Sequence, residues 1–210
     1  MKIDFGLFGS IKGFMDIDEA VRLYNIAARA AEKGPVLEIG SYCGKSAYVI
    51  GSACKAKDSV LFSIDHHKGS EEQQPGEEYF DPDLFDRDLS RVNTFPFFQR
   101  TISLTSLEDI IIPIVASSGA AGKMWQTQIS MLFIDGGHSF EAVSRDYMTW
   151  ACHIKQGGFL VIHDIFFDPE KGGQAPRRIY ETAIESGEYE ELEITKSLGV
   201  LKKKTRDTDL

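Results

Sequence analysis

Cysteine is scarce. The chain of 210 residues holds three, Cys43, Cys54 and Cys152. An odd number at these spacings matches neither a disulfide framework nor a metal-ligand pair, and it suits a reducing, cytoplasmic compartment. Basic charge is also short: 23 Lys and Arg stand against 32 Asp and Glu, a formal net charge of −9. Nucleic-acid binders draw most of their affinity from a basic face that releases counterions from phosphates, so nucleic acid is excluded as a partner. The one basic cluster, Lys202-Lys203-Lys204, reads as a strand end running into a frayed tail over 205–210. Long apolar runs are missing. Those near 129–134 and 159–167 fall far short of a membrane span, and Lys2, Asp4 and Lys12 interrupt any signal-peptide core in 1–15, so no membrane is expected.

What is present is the composition of a globular domain, 42% hydrophobic and 26% charged. A chain of this length buries roughly 70% of its unfolded surface and needs no staple. Asp16 to Glu19 has the spacing of a capping box, and Ile17, Ala20, Val21, Tyr24, Ala27, Ala28 and Ala31 share one face of the helix behind it. Gly34-Pro35 stops that helix. Val36 to Ile39 then reads as a short buried strand, followed by a helix from about Cys43 to Ala56 and a second strand, 60–64, ending at Asp65. The pattern further predicts a helix over 85–95, a third strand over 97–104, partial helix over 107–115 and a loop over 117–123. A strand over 129–134 ends at Asp135, a helix spans 141–154, and a strand over 159–162 leads into His163-Asp164. A last helix, 175–186, precedes a closing antiparallel pair, 189–195 and 198–202. Apolar strands alternating with amphipathic helices predict an α/β fold with a mostly parallel sheet covered on both faces. In such sheets ligands bind beyond the carboxyl ends of the strands.

Two phosphate-binding motifs are imitated and broken after the first strand. Gly44-Lys45-Ser46 resembles the end of a P-loop, but Ile39 stands where the opening glycine belongs. Tyr42 and Lys45 occupy two glycine positions of a dinucleotide fingerprint, which disfavours a nicotinamide-dependent oxidoreductase. What remains is Glu-x-Gly-x-x-x-Gly from Glu38 to Gly44. Gly40 permits a sharp turn and close approach to a ligand, Gly44 close packing at the helix start, and the helix N-terminus favours a carboxylate or phosphate.

The run Val36-Leu37-Glu38-Ile39-Gly40-Ser41-Tyr42-Cys43-Gly44-Lys45-Ser46-Ala47 resembles the first motif of the class I S-adenosylmethionine-dependent methyltransferases, in their catechol O-methyltransferase-like version. The resemblance covers roughly 35–165. Residues 134–164 look like the branch that acts on sugars and secondary metabolites, with cephalosporin-hydroxylase-like relatives. It implies a Rossmann-like, seven-stranded sheet whose last pair is antiparallel, a 1–34 segment packed on a 35–204 methyltransferase domain, and transfer of a methyl group to a hydroxyl of a small-molecule acceptor. By the same resemblance Glu38 and Gly40 line the methionine end of the cofactor, within a loop that includes Ser41 and Gly44. Tyr42 and Ser46 hold its amino-acid moiety, Asp65 takes the ribose hydroxyls, and Ser106 stands on the adenine side.

Asp135, His138, His163 and Asp164 all fall at strand ends. The family places a divalent metal at positions matching Asp135, His163 and Asp164. The histidine departs from the family's oxygen ligands, which leaves Mg²⁺, Mn²⁺, another ion or a metal-free network open. His138, three residues beyond Asp135, matches the family's basic residue and is either a general base or a turn residue orienting Asp135. The acidic stretch 66–82 is either a cover over the active edge or a solvated loop. Phe5, Phe8 and Phe14 form a lid, a contact between copies in a homo-oligomer, or ordinary packing. A non-catalytic scaffold that retains the cofactor fold is the competing reading from outside enzymology.

Overall fold

A computed structural model describes residues 3–205; the predicted tail over 205–210 lies almost wholly outside them. The short α1 (Phe5–Ser10) is capped by Asp4, whose side chain accepts from Gly6 and Leu7. α2 (Ile17–Ala31) opens with the capping box expected of Asp16 and Glu19. β1 (Val36–Ile39), α3 (Lys45–Lys55) and β2 (Leu61–Asp65) follow as the sequence predicts.

The segment from 85 to 122 differs. In place of a helix stands a small antiparallel hairpin, β3 (Phe85–Asp86) with β4 (Arg91–Val92), which buries Val92 against Leu84. In place of a third strand stands α4 (Phe95–Thr105), which buries Phe98, Thr101 and Ile102 at helical spacing. Pro96 in its first turn starts the helix, where the missing N–H costs nothing. The third strand of the parallel run is β5 (Ile111–Val115), and α5 (Ser118–Gly122) is a short helix rather than a loop. Pro113 cannot donate to a ladder, so β5 occupies the sheet edge, where that loss is tolerated.

β6 (Ile129–Ile134), α6 (Phe140–Trp150), β7 (Ile154–Ile162), α7 (Ala175–Glu185), β8 (Tyr189–Glu191) and β9 (Gly199–Lys203) complete the chain. The main sheet has seven strands in the order β5-β2-β1-β6-β7-β9-β8. The first five are parallel, and β9 runs antiparallel to both neighbours. Helices α2, α3 and α4 cover one face through Leu23, Ile26, Ile50 and Phe98. Helices α6 and α7 cover the other through Trp150, Ile179 and Tyr180. Among the described residues no helix is long and apolar enough to cross a membrane.

Register decides what the sheet presents. Ile39 pairs with Ile64 and Ile134, and Ile134 with Ile162. Gly40, Asp65, Asp135 and His163 therefore stand side by side at the carboxyl edge. Backbone bonds carry the ladder past the strands, from Gly40 N to Ile64 O at 3.0 Å, Asp135 N to Ile39 O at 2.9 Å and His163 N to Ile134 O at 3.1 Å.

Candidate active site

A cavity of about 1010 Å³ opens at this edge. Its floor is the loop 40–46, with Asp65, Asp135 and His163 beside it. The predicted residues Gly40, Ser41, Tyr42, Ser46, Asp65, Asp135, His138, His163 and Asp164 all line it.

Asp65 braces the floor. Its Oδ2 accepts from the backbone N–H of Ser41 at 3.0 Å and Tyr42 at 2.9 Å, and its Oδ1 from His67 at 2.7 Å. The side chain keeps 14% of its surface open, and a carboxylate has lone pairs beyond these three bonds. Ser41 Oγ is buried and has no hydrogen-bond partner among the described residues. The N-terminus of α3 has no side-chain cap either, because Gly44 precedes it. Gly44 sits there for packing: a Cβ would stand 3.1 Å from the Phe98 ring and Thr101 of α4.

Glu38 lies beneath the floor rather than in it, fully buried. Ser63 Oγ donates to its Oε2 at 2.7 Å, while Oε1 is unpaired. Burial pushes its carboxyl up to about 8, against the pull of Ser46 and Ser63 and with the charges of Asp135 and Asp65 adding to it. Burial thus favours the neutral form of Glu38.

Ser106 is not at the site. It ends α4 in a left-handed conformation, φ 52°, and its carbonyl accepts from Lys55 at the last turn of α3. It precedes β5 and so lies at the amino end of the parallel strands, opposite the cavity. The serines beyond the carboxyl end of β5 are Ser117 and Ser118, and both line the cavity. A third strand at 97–104 would put Ser106 near its carboxyl end, but β5 begins about 14 residues later, at Ile111.

The imidazoles exchange roles. His163 is buried with both nitrogens engaged: Nδ1 with Asp135 Oδ1 at 3.1 Å, Nε2 with Glu19 Oε2 at 3.1 Å. Glu19 is itself held by Ser197, whose N–H and hydroxyl donate to Oε1 at 2.9 and 2.7 Å. Burial disfavours charge on His163, but Asp135, Asp164 and Glu19 outweigh it and hold the ring well above its ordinary pKa. Burial likewise would raise Glu19, yet His163 and Ser197 bring it down to about 2. With both nitrogens engaged, His163 braces Asp135 in this arrangement. The donor atoms that do converge, within 4.8 Å of one another, belong to Asp135, His138 and Asp164.

His138 Nε2 lies 3.0 Å from Asp164 Oδ2, and Nδ1 lies 2.9 Å from Glu72 Oε2. Two carboxylates require two donors, so the ring is an imidazolium, its pKa raised to about 9 chiefly by Asp164, against burial and with Glu72 adding. Burial alone would raise Asp164, but His138 and His163 keep it far below the usual carboxylate range. The ion pair also sets a pH dependence. A pKa of about 9 against an ordinary 6.5 gives stability that is complete below pH 6.5 and lost as pH rises through 9. With a side chain 32% exposed, about 1–2 kcal/mol is expected after solvent screening. Melting temperatures at pH 6.5 and 9.5 check this: His138→Gln should flatten the alkaline fall, and an unchanged fall would refute it.

The acidic stretch covers the edge, since Glu72 reaches His138 and Asp81 pairs with Lys12 at 2.5 Å. Phe8 packs in the core, whereas Phe14, 66% exposed, lies over the opening with its ring 6.0 Å from Tyr42 and 5.5 Å from Tyr79. Lys45 ties this segment down through the Gly13 carbonyl at 2.9 Å.

The family described as "Methyltransferase domain" matches residues 37–165. Among solved structures, the O-methyltransferase NovP is 14% identical, with 90% of this chain and 81% of that chain covered at a TM-score of 0.68. The cofactor-bound Rv0187 from MTB is 13% identical, covering 95% and 86% at 0.66. An O-methyltransferase from Bacillus cereus in complex with SAH is 13% identical, covering 97% and 93% at 0.63. At these identities the likeness to the three structures concerns the fold.

Proposed function

Since the chain belongs to the methyltransferase-domain family, we propose that it moves a methyl group from S-adenosylmethionine to a hydroxyl oxygen of a small polar acceptor, a sugar or secondary metabolite. The observation that carries this is the convergence of an uncapped helix start, a buried unpaired serine hydroxyl and a braced acid on one cavity. Those features fit the cofactor: the N-terminus of α3 with Ser41 and Ser46 suits its amino-acid carboxylate, and the open face of Asp65 its ribose hydroxyls. When bound, the cofactor supplies a methyl already activated by its sulfonium. The O-methyltransferases among the structural relatives support oxygen as the acceptor atom.

Asp135, His138 and Asp164 face the acceptor end. The Asp135 and Asp164 carboxylates fit a divalent cation, Mg²⁺ or Mn²⁺, which would act as a Lewis acid on the acceptor hydroxyl, and His138 would join them as a nitrogen donor only on giving up the proton it shares with Asp164 and Glu72. Apart from a metal, His138 and Asp164 hold a proton between them, and the deprotonated ring is the group that would take one from the acceptor. Phe14 and Tyr79 offer ring faces to the acceptor, and the covering segments exclude water.

Transfer of labelled methyl to a library of hydroxylated compounds, with release of S-adenosylhomocysteine, tests the proposal. Turnover that collapses after dialysis against chelator and returns with Mn²⁺ or Mg²⁺ supports the metal, while full turnover in excess chelator contradicts it. Ser106→Ala should leave affinity for S-adenosylhomocysteine within about twofold, as expected of a surface position. A tenfold loss in calorimetry would return Ser106 to the site.

A further inference from the structure

A third imidazole lies behind the cavity wall. His67 is 3% exposed, while its neighbours Asp65, His66 and Thr94 line the cavity. Its backbone stands in the left-handed region, φ 56°. That conformation costs a residue with a Cβ about 1–2 kcal/mol and persists only where the surroundings impose it. Its consequence is local: the His67 N–H turns back onto Asp65 Oδ1 at 2.7 Å.

The ring is what the surroundings grip. Nδ1 lies 2.8 Å from Thr94 Oγ1, and the Thr94 N–H donates to the His67 carbonyl at 3.1 Å. Thr94 immediately precedes α4, and the ring packs against Phe95 and Phe98 of that helix, with centroids 5.0 and 5.1 Å away. Burial favours the neutral ring, against Asp65 and the Tyr42 backbone. The same helix supports the floor loop, because Thr101 Oγ1 donates to the Cys43 carbonyl at 2.7 Å. One helix therefore fixes the floor and, through His67, the acid beside it. Ser41 and Tyr42 both bond to Asp65 Oδ2. The His67 N–H is the tether on Oδ1, and it sets the rotation of the carboxylate about its own axis.

We propose that His67 is a positioning residue for cofactor binding: its ring, pinned to Thr94 and α4, holds the backbone N–H that aims the open face of Asp65 at the ribose hydroxyls. This rests on the methyltransferase reading above, with Asp65 as the ribose acid. A carboxylate held in place beforehand gives the stronger bond to a hydroxyl. Loss of the ring should therefore weaken the ribose contact and spare the hold on the rest of the cofactor.

Calorimetry with S-adenosylhomocysteine and its 2′,3′-dideoxy analogue, which lacks both ribose hydroxyls, tests the assignment without turnover. The wild-type chain should favour the hydroxylated compound by about 10- to 100-fold, the worth of hydrogen bonds to a charged acceptor. His67→Phe keeps a ring against α4 but removes the bond to Thr94, and should cut that preference at least about fivefold. Thr94→Val removes the same bond from the other side at nearly constant volume, and should cut it at least about threefold; it carries the test if His67→Phe does not fold. A purely structural role would weaken both compounds alike. A preference kept within about twofold of wild type in the folded variants therefore overturns the assignment, as does equal binding of both compounds by the wild type; either leaves the methyltransferase reading standing. Failure of the wild type to bind either compound overturns that reading, and the assignment with it.

Discussion

Gly40→Ala is expected to cost about 4 kcal/mol of folding free energy and to lower the melting temperature by about 8–16 °C. At φ +84° an alanine is strained before any contact is counted. Its Cβ would then stand 2.1 Å from the Asp135 carbonyl oxygen and 2.8 Å from the Gly136 Cα, both backbone atoms that no rotamer change can move. Relief requires β1 and β6 to part just where Asp135 N bonds to Ile39 O. The glycine that suggests room for a ligand is therefore needed first for two neighbouring strands to close. The damage falls on the residue that carries the Asp135 carboxylate. A thermal melt of the variant decides the matter: a midpoint within 2 °C of wild type would show that the edge is not closed as described.

Asp164→Asn is expected to lower turnover about 10³-fold while affinity for S-adenosylhomocysteine stays within about threefold. The substitution changes charge and hardly changes volume. Asp164 engages both imidazoles, His138 at 3.0 Å and His163 at 3.5 Å, and is one of three converging donors. An amide weakens cation binding and removes the principal cause of the raised His138 pKa. That second effect needs no acceptor to observe. In NMR the His138 ring should titrate near pH 9 in the wild type and markedly lower in the variant. Steady-state rates on an identified acceptor provide the first readout. Turnover within fivefold of wild type, or an unmoved His138 titration, would remove Asp164 from the chemistry.

The parts of this site legible in sequence are those set by local pattern and by register. Asp65, Asp135 and His163-Asp164 each follow an apolar run that has no reading but a buried strand, and parallel pairing brings their ends together without further information. The segment from 85 to 116 resists because its patterns are ambiguous. Phe97 to Leu104 contains β-branched residues, yet Pro96 and the spacing of Phe98 and Ile102 belong to a helix. Ile111 to Val115 has the right composition for a strand, with Pro113 disguising it until an edge position is known. A strand at 97–104 would bring Ser106 to the edge, whereas β5 at 111–115 brings Ser117 and Ser118 there. The exchange between His138 and His163 is a different matter. Which ring is locked beneath Asp135 depends on Glu19, 144 residues from His163 and recognisable in sequence only as a capping residue. Likewise nothing near His67 in the chain announces that Thr94 holds its ring.

The central claim is that the carboxyl edge of the sheet holds S-adenosylmethionine between the start of α3 and Asp65. A crystal structure of the chain with S-adenosylhomocysteine tests it most directly. The account predicts the ribose hydroxyls on Asp65 and the amino-acid carboxylate at Ser41 and the first turn of α3. Density for the compound elsewhere on the molecule, or none in crystals grown at millimolar concentration, would contradict it.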